Sequence, residues 1–125
     1  MAAIVVNDGL AGIVAKLNAN TPPRYVAWGT GGGTAEDPTD EALNTEAAED
    51  RVQGANSVVT EDVASDTYQV VATITSLSTQ TISEVGLLTA DAAGDLYVRG
   101  TFTGIPLDAD DSIQFTIKQT LGQPA

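Results

Sequence analysis

At 125 residues the chain has room for one core, and its lack of His and Cys removes the usual imidazole and thiolate catalysis, disulfides and ordinary zinc sites. Its 17 acidic residues against 5 basic give a net charge of −12, a surface that repels the phosphate backbone and argues against nucleic acid as a partner. No stretch is long and apolar enough to span a bilayer, so no membrane partner is expected.

The whole of residues 1–125 reads as a single domain, with an arm and short helix over 1–23 and a β-sandwich over 24–125. The first twenty residues have no basic start, and Asn7, Asp8 and Gly9 interrupt their apolar run, so they read as part of the fold rather than a targeting leader. Ala2, Ala3, Ile4, Val5 and Val6 form a short apolar arm with no complement in the local sequence. Asn7 or Asp8 is placed to cap a helix, in which Leu10, Ile13, Val14 and Leu17 fall at helical spacing until residues 18–23 end the pattern. Gly9 and Gly12 each weaken that helix by roughly 1 kcal/mol relative to Ala.

A strand is expected over 24–28, bounded by Pro22-Pro23 and by the loop Gly29, Thr30, Gly31, Gly32, Gly33 and Thr34. That loop follows a strand, as a dinucleotide fingerprint does, but position 34 is Thr where the last glycine would stand. No Lys-Ser or Lys-Thr pair follows for a P-loop, and Glu36 and Asp37 would repel a phosphate. It reads as a structural loop, and no cofactor site is expected.

Residues 36–66 hold ten acids and one base, Arg51, and read mainly as a solvated excursion carrying net −9, with Leu43 and Val52 as isolated anchors. The acid clusters could attract a hard cation, but none has the alternating ligands and central glycine of a calcium loop, so no metal site is assigned. Val58, Val59 and Val63 mark the resumption of sheet.

From 67 onward strand follows strand. Residues 67–75 and 81–89 alternate apolar and polar, and D-A-A-G-D at 91–95 reads as a hairpin turn with Gly94 at positive φ. Residues 96–103 place Leu96, Val98 and Phe102 inward and Tyr97, Arg99 and Thr101 outward. Ile105-Pro106-Leu107 breaks that ladder, and 112–120 closes the fold. The expectation is a mainly β protein, an antiparallel sandwich of jelly-roll-like type, with each sheet burying one face. Glu84 and Arg99, both within apolar strands, are placed to form an ion pair across the hairpin, most simply on an outer sheet face. For such a pair, exchanging the two charges should restore what either single reversal loses.

Paired carboxylates could serve a glycosidase, but one Trp, three Tyr and two Phe leave little for a sugar cleft. No catalytic residue is assigned, and Trp28 and Tyr25 read as core or interface anchors.

The order R-Y-V-A-W-G-T-G-G-G, A-L-N-T-E, T-I-S-E-V-G-L-L, L-Y-V-R-G-T-F-T-G-I-P-L and D-S-I-Q-F-T-I-K, spanning 24–120, resembles a family of small structural proteins of tailed-phage virions. The resemblance implies a particle component without enzymatic activity. A capsid decoration or cement protein on the outer shell would have the major capsid protein and copies of itself as partners, in a homo-oligomer. The alternative is a tail-fibre, vertex or other tail-associated position. In this setting the apolar arm (Ala2 to Val6) and the loop from Gly29 to Thr34 are the expected contact elements, by strand addition or loop insertion. The acid excess and scarce Lys suit solubility in concentrated salt, where the Debye length falls to about 3 Å, and fit a virus of a salt-loving archaeon.

Overall fold

A computed structural model describes residues 3–122. Among these described residues, seven strands form two antiparallel sheets behind one helix, α1 (Asn7–Ala19). The first sheet has the order β2-β1-β5-β6, built from β1 (Tyr25–Gly29), β2 (Val52–Gln53), β5 (Gln80–Leu88) and β6 (Leu96–Leu107). The second has the order β3-β4-β7, from β3 (Ala55–Val59), β4 (Thr67–Thr75) and β7 (Ser112–Thr120). Only Gly54 separates β2 from β3, so the chain passes directly from one sheet to the other along that side. The opposite side stays open between the edges of β6 and β7.

The core between the sheets comes from period-2 alternation. Tyr68, Val70, Ala72 and Ile74 of β4 face Val26 and Trp28 of β1, with Ile82 and Leu87 of β5. Trp28 meets Phe115 edge-to-face at 6.4 Å, and Phe102 lies 6.1 Å from Phe115, closing the gap on the open side. Helix α1 packs against the core-facing side of β3 and β4. It buries Leu10 and Val14, and the Asn56 amide donates to the Asn18 carbonyl at 3.2 Å and to its Oδ1 at 2.8 Å. Burial of Tyr68 pushes its phenol up to about 12, and the hydroxyl donates to the Pro23 carbonyl at 2.8 Å.

Several expectations change. The helix starts without a side-chain cap: Val6 is the N-cap, and Asn7 and Asp8 lie inside the first turn. Ile13, counted with the apolar stripe, is 49% exposed. β6 does not break at Pro106, because it is an edge strand and the proline's missing N–H removes no inter-strand bond on the solvent side. A register shift beside Leu88 turns Leu96 away from the main core, onto Ala27, Leu43 and Leu88. Burial on one face alone does not hold for the first sheet, because residues 30–50 fold over its outer face. The acid-rich stretch is therefore largely structured: it contributes that cover, then β2 and β3, then a tight turn over 60–66.

Candidate contact surface

The outer face of the first sheet is organised by one carboxylate. A register irregularity between Ile82 and Glu84 brings the side chains of both Ser83 and Glu84 to the glycine loop. Glu84 is fully buried and accepts four hydrogen bonds: from the N–H groups of Gly31 (2.9 Å), Asn44 (2.9 Å) and Thr45 (2.8 Å), and from Arg99 Nε at 3.0 Å. Arg99, whose side chain is 3% exposed, also donates to Asp40 Oδ2 at 3.1 Å and to the carbonyls of Thr34 (2.9 Å) and Gly31 (3.3 Å). Burial opposes ionisation of Glu84, but the backbone donors and Arg99 outweigh it and hold the carboxyl below the usual range. The structure thus brings Glu84 and Arg99 together by diagonal pairing, since Glu84 stands opposite Thr101 and Arg99 opposite Gly86. The pair lies beneath a loop, not on an open face.

This clamp explains the glycines. A Cβ on Gly31 would lie 2.3 Å from Glu84 Oε2 and 2.7 Å from the Thr45 nitrogen, and one on Gly32 would lie 2.2 Å from the Ser83 carbonyl oxygen. The backbone must approach the sheet this closely for Gly31 N–H to reach Glu84 and Gly32 N–H to reach Ser83 Oγ at 2.8 Å. Gly29 and Gly31 are buried and Gly32 partly so; Thr30, Gly33 and Thr34 face solvent. The loop expected to insert into a partner therefore spends its central glycines inside its own domain, leaving three residues to face outward.

Two further buried acids escaped sequence reasoning. Glu49 accepts from Trp28 Nε1 (2.8 Å), the Leu77 N–H (2.9 Å) and the Gln80 amide (2.8 Å). Burial opposes its ionisation, and these donors still hold its carboxyl below the ordinary value. Asp66 collects the N–H groups of Val63, Glu61 and Asp62 and the Thr67 hydroxyl, which depress its carboxyl strongly. All three acids act as acceptors for backbone left without sheet partners. Their donors come from distant or irregular segments, and no sequence signal marked them. Among the described residues, no group of three or more potential ligands converges as a metal centre would.

The N-terminal arm is the reverse case. Ile4 is 69%, Val5 46% and Val6 59% exposed; Ala2 lies outside the described residues and Ala3 is exposed. Val5 lies beside Gly9, where a Cβ would stand 3.1 Å from its Cγ1, and Gly9 and Ile13 are four apart on one helix face. The arm and α1 together expose Ile4, Val5, Val6 and Ile13 on a chain of net charge −12. Leu77, 73% exposed at the β4–β5 connection, is a second apolar projection that its Ser-rich context concealed. No protein-family model matches the chain, and no curated protein matches it in sequence.

Proposed function

We propose that this chain is a virion structural protein without enzymatic activity, most specifically a capsid decoration protein. It would bind neighbouring copies of the major capsid protein on the outer shell and hold them together. The observation that carries this reading is the exposure of three large apolar side chains at the N-terminal end of the fold, Ile4 and Val6 on the extended arm and Ile13 on α1. Burying such side chains contributes roughly 1.5–3 kcal/mol each, so one copy binds modestly while many copies on a lattice strengthen the shell collectively.

The resemblance of the motif order to small tailed-phage structural proteins supports the same reading. Gly31, Asn44, Thr45, Glu84 and Arg99 all sit within those motifs and meet in the clamp. In this structure the motifs hold a long loop on a sandwich, and the proposed contact residues of the arm lie outside them.

Quantitative mass spectrometry of purified particles tests the proposal. Copies in the hundreds per particle are expected. A handful would move the protein to the tail or a vertex, and absence from the particle would overturn the reading.

A further inference from the structure

Two long strands border the open side of the sandwich, and they differ in how they are protected. β6 carries Gly100, Gly104 and Pro106 and pairs with β5 through two register irregularities, features that discourage a further strand from adding. β7 has neither Gly nor Pro, and its pairing with β4 runs unbroken from Thr67↔Thr120 to Thr75↔Ser112. Every second residue of β7 thus turns its N–H and C=O away from β4 toward an unfilled edge. β7 also holds no acid in a chain with 17, and its one charge, Lys118, is engaged by Glu61. At its end, the buried carboxamide oxygen of Gln119 has no hydrogen-bond partner among the described residues.

We infer that β7 is a self-association edge, on which β7 of a second copy adds antiparallel about a two-fold axis to make one continuous six-stranded sheet. The self-complementary register of the edge selects the occupant, and charge the orientation. Two copies of net −12 approach with least repulsion along a segment without acids, and antiparallel addition keeps the acidic turn 108–111 of one copy away from the same turn of the other. With Thr116 on the axis, Ser112 faces Thr120, Gln114 faces Lys118, and Thr116 faces itself. No like charges meet within the strand. Ser112 and Thr120 already hydrogen-bond to Thr75 (2.7 Å) and Thr67 (2.9 Å) on the neighbouring strand, and a second copy extends this hydroxyl ladder. The strand ends still bring turn 108–111 of one copy toward Glu61 and Asp62 of the other, so association strengthens with salt. This inference concerns the isolated protein and stands independently of a particle role.

Sedimentation equilibrium at low and molar NaCl tests it. A monomer–dimer equilibrium is expected, with Kd tightening about tenfold or more as the Debye length falls from about 10 Å at 0.1 M to about 3 Å at 1 M. Thr116→Glu places like charges on the axis and should weaken the dimer at least about tenfold. Thr103→Glu on β6 should leave it unchanged. A monomer at every salt concentration would overturn the inference, as would a dimer indifferent to Thr116→Glu or one lost with Thr103→Glu. If Thr116→Glu impairs folding, hydrogen exchange on the wild type decides: β7 amides should exchange more slowly as protein concentration rises, and exchange independent of concentration counts against the edge.

Discussion

The glycine loop and the N-terminal arm were both expected to reach for a partner, and the fold treats them oppositely. The loop looks mobile by composition, yet Gly31 and Gly32 press against β5 and donate to Glu84 and Ser83. The arm, apolar with no complement in the local sequence, leaves Ile4 and Val6 exposed. The difference shows that glycine content alone does not identify an accessible loop. Glycine permits close approach as readily as mobility, and the deciding factor is whether a buried acceptor waits beneath it.

The comparison breaks most decisively at Glu84. Glu84→Ala leaves Arg99 and three backbone N–H groups buried without their acceptor, and should cost about 3–5 kcal/mol in denaturant unfolding. Exchanging the charges, with Glu84→Arg and Arg99→Glu together, should not rescue the fold as it would for a simple cross-strand pair, because the N–H groups of Gly31, Asn44 and Thr45 would then face a cation. Full rescue would show that the backbone donors contribute little.

Within the loop itself, Gly31→Ala should cost about 1–3 kcal/mol by overpacking, while Gly33→Ala, with open space around its Cβ, should change stability by less than about 0.5 kcal/mol. Equal effects on the melting temperature would mean that the loop is not pressed to the sheet. Gly12→Ala, also in open space but within α1, should stabilise by up to about 1 kcal/mol. The arm should be nearly silent in stability: Ile4→Asp should shift it by less than about 0.5 kcal/mol, and Val6→Asp, at the uncapped start of α1, should stabilise by about 1 kcal/mol, while on the proposed function each weakens attachment to particles at least tenfold. A large loss of stability would make the arm part of the core.

Acid provides a graded test of the inner region. Glu49, Asp66 and Glu84 all have folded-state pKa values below their ordinary ones. In acid the folded protein therefore binds fewer protons than the unfolded chain. Their contribution is fully present above the ordinary carboxylate range and is lost as pH falls through the lower folded values. Melting temperature should decline progressively below about pH 4, and a flat profile would mean that these carboxylates are not held as described.

What was legible in the sequence follows from physical range. β4 and β7 were readable to the residue because an apolar residue at nearly every second position (Tyr68, Val70, Ala72 and Ile74; Ile113, Phe115 and Ile117) is a local signal. The pairing of Glu84 with Arg99 was readable because one hairpin joins their strands. The remaining donors to Glu84 were not, because Asn44 and Thr45 belong to a stretch that reads as solvated and Gly31 to a glycine loop whose composition says nothing of an acceptor beneath it. The fold of residues 30–50 depends on small local choices, such as Leu43 packing on Ala27 and Leu88, that leave no periodicity. Pro106 misled because a proline reports a missing donor without saying which side of the strand needed one.

The sequence distances spanned by the Glu84 clamp carry a kinetic consequence. Its donors lie 15, 39, 40 and 53 residues away along the chain, so gathering them closes several long loops, which places the clamp late in folding. Interactions that form after the folding barrier leave the folding rate nearly untouched and slow the reverse reaction. The clamp therefore acts chiefly as a brake on unfolding, lengthening the lifetime of each folded molecule.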